Sequence, residues 1–182
     1  MTVISKRKAW LAQHLQSCGV VALSLAAFSV TGCAGSLAPA AVVTGMSAEQ
    51  RGSLHLASIT TEAQDGVALG PIETARITQL VSTDIRVAAP GVLDPAAPSA
   101  SALRVIVTRC DAGSAVARLA LAGLGQIRMD GDVIITDPAT GQLVGEYRVA
   151  KQFALGGIIG ALTKIEDVER GFSKSVAAIV AP

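Results

Sequence analysis

Apolar and polar side chains alternate most cleanly between Gln126 and Phe153, and the rest of the chain is read outward from there. Ile127, Met129, Gly131, Val133 and Ile135 fall on one side of an extended segment, with Gln126, Arg128, Asp130, Asp132 and Thr136 on the other. This is the two-residue period of a half-buried strand. Asp137-Pro138-Ala139-Thr140-Gly141 turns the chain, because Pro sets one dihedral and Gly accepts a positive φ. Leu143, Tyr147, Val149 and Phe153 then alternate with Val144, Glu146, Arg148 and Gln152, which completes a β-hairpin.

Weaker patterns flank it. Residues 53–60 alternate enough for a strand, and 102–110 form another, with Leu103, Val105 and Val107 opposite Arg104, Ile106 and Thr108. Between them Pro71 suits a first helical position. Ile72, Ile77, Leu80, Val81, Ile85 and Ala88 follow at roughly helical spacing until Pro90 ends the run. Pro90, Pro95 and Pro98 mark a loop. Residues 115–121 read as a short helical turn packed on the sheet. Thr163 and Glu166 form a capping-box pair opening a last helix, whose apolar face is Ile165, Val168, Phe172, Val176, Ile179 and Val180. Together these predict a single α+β domain: a mostly antiparallel four-stranded sheet with two main helices packed on one face, preceded by a cleaved signal and a tether.

The N-terminal pattern differs. Lys6, Arg7 and Lys8 precede a short apolar run, Gly19 to Val30, which is less than the about 20 residues a membrane-spanning helix needs. The run ends in Val30-Thr31-Gly32-Cys33, which resembles the lipobox of bacterial lipoproteins. That resemblance implies cleavage before Cys33, a diacylglycerol thioether on its sulfur and acylation of the new amino terminus. The alternative is an ordinary signal peptide with a chance cysteine. The expected division is 1–32 signal peptide, 33–50 lipidated tether rich in Ala, Gly, Ser and Thr, and 51–182 periplasmic domain. Each buried methylene adds about 0.8 kcal/mol, so several acyl chains give stable attachment to the lipid bilayer. Ala34 stands where an Asp would favour inner-membrane retention, so the resemblance implies the outer membrane with the domain facing the periplasm.

Composition narrows the chemistry. Removing Lys6, Arg7 and Lys8 from 15 basic residues leaves 12 against 14 acidic, a net charge of about −2 and no basic patch for nucleic acid. Of three cysteines Cys18 lies in the signal and Cys33 takes lipid, so Cys110 has no internal disulfide partner. A buried thiol and an intermolecular disulfide both remain open for it. Beyond the signal only Tyr147, Phe153 and Phe172 are aromatic, which offers few stacking platforms for sugars or bases. His55 is the one histidine left, and no Gly-x-Ser-x-Gly elbow accompanies it. Asp130 and Asp132 share a strand face without a third oxygen ligand nearby, and Gly123-Leu124-Gly125 precedes a strand where a dinucleotide loop would precede a helix. No catalytic residue, metal site or cofactor is expected, and the chain reads as a non-enzyme; the alternative is a periplasmic hydrolase working through His55 and carboxylates such as Asp132.

Asp111-x-Gly113-Ser114, Arg118, Gly123-x-Gly125, a strand and then Asp137-x-x-Thr140-Gly141 resemble the uncharacterised bacterial lipoproteins that carry a domain of unknown function. Such domains are similar to periplasmic modules of secretion and envelope-assembly lipoproteins, including the curli-secretion pore family. The resemblance implies location and fold and no chemistry. One apolar stretch has no structural duty assigned by pattern: Leu155, Gly156, Gly157, Ile158, Ile159 and Gly160, continuing to Leu162. It reads either as a loop tucked under the last helix or as an exposed patch that docks an envelope protein or membrane. The hairpin alternation also admits an oligomeric membrane barrel, and an oligomer in general.

Overall fold

The computed structural model describes residues 40–121 and 124–181. The signal peptide, Cys33 and Gly123 lie outside the described residues. In chain order the elements are β1 (Ala41–Thr44), α1 (Ala48–Gly52), β2 (Leu56–Ala63), α2 (Pro71–Ala88), β3 (Ser101–Asp111), α3 (Ala115–Ala120), β4 (Ile127–Thr136), β5 (Leu143–Phe153), α4 (Gly157–Leu162) and α5 (Ile165–Val180). The sheet has five strands in the order β1-β5-β4-β3-β2.

Two features of the sheet depart from expectation. It is mixed, because β2 and β3 run parallel while the other pairs are antiparallel. Alternation tells which face a residue occupies and nothing about strand direction. Here the 18-residue α2 carries the chain back to the starting end of β2, as a parallel pair requires. The fifth strand is β1, inside the segment read as a tether to residue 50. Ala41 lies opposite Arg148 and Val42 opposite Tyr147. All four β1 residues are exposed, so this short edge strand carries no burial period. Its hold comes from backbone pairing and from Met46, whose side chain is buried and whose N–H donates to the Tyr147 hydroxyl at 2.9 Å. Ser47 and Gln50 form a reciprocal capping box that starts α1.

One face of the sheet is dry. Leu103, Val105, Val107, Ile127, Met129, Val133, Ile135, Tyr147 and Val149 are buried there under α2 and α5. From α2 come Ile77, Val81 and Ile85 at four-residue spacing, whereas Ile72 is exposed, one turn short of the sheet. From α5 comes Phe172, fully buried over Gly131. A Cβ on Gly131 would stand 2.9 Å from both the ring and the Ile106 carbonyl oxygen. Glycine at this inward position therefore makes the cup that holds the ring. Gly131→Ala is expected to cost about 1–3 kcal/mol by overpacking. A urea unfolding series checks this, and an unchanged midpoint would contradict it.

The opposite face is polar, with ion pairs Arg148–Asp132 at 3.0 Å and Arg104–Glu62 at 3.3 Å. A hairpin with one face under helices and the other carrying charges is that of a covered sheet.

The start of α5 also differs from the sequence reading. Thr163 ends α4, its hydroxyl donating to the Ile159 carbonyl at 2.9 Å, and Asp167 accepts the Lys164 N–H at 3.0 Å. The capping carboxylate is thus Asp167 rather than Glu166. That backbone N–H, and next Arg170, hold the Asp167 carboxyl below its usual range. A depressed folded-state pKa stabilises above the unfolded carboxylate value and loses that contribution as pH falls through the folded one. Protection factors of the amides in the first turn of α5, taken relative to the intrinsic rate at each pH, are therefore expected to fall below about pH 4, and Asp167→Asn should show the lower protection at neutral pH.

Candidate functional site

At the end of the sheet where β3 and β5 finish and β4 begins, α3 and α4 pack together as a small knob. Its construction starts at Asp111, whose carboxylate accepts the Gly113 N–H at 2.8 Å. Gly113 has φ 61° and Gly125 φ 62°. A Cβ on Gly113 would come within 2.3 Å of the Gly125 and Gln126 carbonyl oxygens, and one on Gly125 within 2.3 Å of the Ser114 oxygen. Only glycine allows the two backbones to approach so closely while turning left-handed. Ser114 caps α3 by accepting the Ala117 N–H at 3.3 Å.

Arg118 sits at the centre, 3% exposed. Its guanidinium donates only to backbone carbonyls among its recorded partners: Nε to Gly160 at 2.7 Å, Nη1 to Gly125 at 2.6 Å and Ala112 at 3.2 Å, and Nη2 to Thr163 at 3.1 Å. Gly160 is one of the last carbonyls of α4, which no helical N–H can reach. A planar five-donor fork satisfies several such groups at once, and a lysine ammonium does not. Gly160 must be glycine as well, since a Cβ there would lie 2.1 Å from the Leu155 oxygen and press on the Arg118 side chain. The arginine therefore bolts α4 to the β3–α3 turn.

With Arg118 turned inward, the apolar residues of both short helices face out. Val116, Leu119, Leu121 and Leu124 are exposed on one side, and Leu155, Ile158, Ile159 and Leu162 on the other. These eight are the majority of the exposed large hydrophobic residues among the described ones, and they are gathered at one end. Ile158 is 73% exposed and Leu162 72%. The reading of Leu155 to Leu162 as tucked under the last helix is thus corrected, and so is that of residues 115–121 as packed on the sheet through their apolar side. Leu155, Gly156, Gly157, Ile158, Ile159 and Gly160 come together with Gly113, Ser114, Arg118 and Gly125, a grouping that sequence separation concealed. Sequence reasoning missed Val116, Leu119, Leu121 and Leu124, although an arginine inside an apolar helical turn is a signal that the turn faces the wrong way for a core.

The other candidates stay apart. Asp132 is engaged by Arg148 on the open face, and Asp130 lies two residues away. His55 is at the start of β2, its backbone oxygen bound to Ser101. Asp132 is paired opposite Ile106, five residues along β3 from Ser101, roughly 17 Å. No group of three His, Cys, Asp or Glu side chains converges among the described residues. Cys110 is half-buried, and burial, then the Glu169 charge, pushes its thiol pKa up, which lowers its thiolate fraction. A shallow groove of about 500 Å³ between β2 and α2 is lined by threonines 60, 61, 74 and 78 with Arg86, and its lining holds no carboxylate, imidazole or thiol. The Asp137 turn closes on itself: its carboxylate accepts the Ala139 N–H at 2.8 Å and the Thr140 N–H at 3.3 Å, which lowers its pKa.

This arrangement defines a mixed α+β domain with a mounted apolar surface at one end of its sheet. Residues 75–157 match a family described as Domain of unknown function (DUF4410), a span that contains Gly113, Arg118, Gly125 and the Asp137 turn. No curated protein matches the chain. Among solved structures the fold is similar to that of a PelC dodecamer from Paraburkholderia phytofirmans, with TM-score 0.51 and 10% identity, covering 75% of this chain and 92% of that one. A second PelC dodecamer structure from the same organism gives TM-score 0.49 and 9% identity, covering 69% and 86%. A structure named as a putative lipoprotein from Caulobacter crescentus CB15 gives TM-score 0.36 and 18% identity, covering 67% and 83%.

Proposed function

We propose that this chain is an envelope lipoprotein, anchored to the outer membrane through acylated Cys33 and facing the periplasm, whose domain is a non-catalytic binding or assembly module. The observation that carries the reading is the exposed apolar knob on its arginine mount. A contiguous apolar surface held rigidly toward solvent marks a contact with another component. The lipobox resemblance supports the compartment, and the match to a domain of unknown function adds no role. Cross-linking in intact envelopes followed by purification is expected to recover the domain in a defined complex. Recovery of monomer alone at every concentration would count against an assembly role.

A second reading, a subunit of an oligomeric secretion or pore assembly, draws support from the fold likeness to a dodecameric protein. It predicts detergent-resistant rings, and a strictly monomeric solubilised chain would dispose of it. A hydrolase built on His55 and Asp132 draws no support from their placement.

A further inference from the structure

The register of β1 says in which direction the chain runs where the described residues begin. Ala41 pairs with Arg148 and Thr44 with Glu146, so β1 runs antiparallel to β5. Followed back from Thr44 through Ala41, the chain heads toward Phe153 and hence toward α4. Cys33 lies seven positions before Ala40, a reach of at most about 25 Å. The strand length still to cover, from Arg148 to Phe153, is roughly 17 Å. At Ala41 the chain is therefore directed toward the knob, and the knob end of the sheet is within the reach of Cys33.

The knob is built for a place without water. Residues 112–126 contain one charged side chain, Arg118, and residues 154–163 contain none. Arg118 is already buried and bound to four carbonyl groups, so no charge has to be stripped of water when the surface is covered. Val116, Leu119, Ile158, Ile159 and Leu162 project from two short helices that the arginine fixes relative to each other. Lys164, exposed at the start of α5, borders the knob and suits the headgroup layer.

We propose that this knob is a second membrane contact, entering the interfacial layer of the same bilayer that holds the Cys33 lipid and fixing the domain's orientation on it. The inference rests on the lipoprotein reading and names the occupant of its apolar surface: acyl chains and headgroups rather than a protein. Apolar side chains of this kind settle about 5–10 Å into the headgroup and acyl boundary.

The test uses the full chain expressed in a bacterial envelope, purified and placed in vesicles whose acyl chains carry bromine. Trp10 is the sole tryptophan and leaves with the signal, so Ile158→Trp reports on the knob and Ala139→Trp on the hairpin turn at the opposite end. Both positions are exposed, which spares the core. The proposal expects a blue-shifted emission from position 158 that loses most of its intensity in brominated vesicles, and an unquenched emission from position 139. Unquenched emission at 158 in a chain whose intact mass shows lipid on Cys33 would overturn it while leaving the anchor standing. A blue shift at 158 without quenching, together with cross-links between copies through Ile158→Cys, would assign the knob to a second copy and overturn it too. If the mass shows no lipid, quenching of position 158 on added vesicles keeps the knob and fells the anchor, and its absence fells both.

Discussion

Arg118→Met is expected to loosen the knob and leave the sheet intact. The substitution keeps most of the apolar stem and removes every donor, so the Gly160, Gly125, Ala112 and Thr163 carbonyls lose their partner. Each buried polar group left without a partner costs about 1–3 kcal/mol. The knob caps one end of the fold, so it can open to water before that sum is reached, and the net loss should settle near 3 kcal/mol. Hydrogen exchange should show α3 and α4 unprotected while β3 to β5 keep their protection. Arg118→Lys should be nearly as harmful, because one nitrogen cannot span carbonyls on three segments. Unchanged protection in α3 and α4 would mean that the apolar surface needs no mount.

Arg76→Ala should cost more and should act on the whole domain. Glu169 of α5 has a side chain 1% exposed, and Arg76 of α2 meets it with two hydrogen bonds of 2.7 and 2.8 Å. The hydrogen bond to Glu169 comes first among the causes that raise the Arg76 pKa above its ordinary value, so the arginine stays charged at any physiological pH. Removing it strands a carboxylate between two helices, and breaking such a buried pair costs about 3–5 kcal/mol. Chemical denaturation at neutral pH should therefore find the variant's midpoint well below that of wild type. Arg76→Met with Glu169→Leu should recover much of the loss. An Arg76→Ala midpoint equal to wild type at neutral pH would show the pair contributes nothing.

The β4–β5 hairpin, the body of α2, β3 and the apolar face of α5 were legible because each satisfies a simple period against a single buried face. What escaped has physical reasons. β1 is four residues at an edge, exposed on both faces, and is held by backbone bonds and by Tyr147 of the neighbouring β5, about a hundred residues on in sequence, so no local pattern announces it. The parallel pairing of β2 with β3 depends on where α2 returns the chain, a nonlocal fact. The start of α5 was misassigned by one residue because Thr163 serves the preceding helix instead.

The site was half legible. Leu155 to Leu162 stood out as apolar residues without a period, but whether they were covered depended on Arg118, 42 residues from Gly160. The Gly113, Ser114, Arg118 and Gly125 motif carried no chemistry because its chemistry is structural. The glycines bring carbonyls to one point and the arginine binds them. Motif and patch are one device, joined only in three dimensions.

The membrane address carries the rest of the account, and the intact mass of the chain extracted from envelopes tests it most directly. The account predicts a polypeptide beginning at Cys33 and heavier than its sequence by a diacylglyceryl group and an amide-linked acyl chain. A chain beginning at any other residue, or a Cys33 thiol free of lipid, would contradict it.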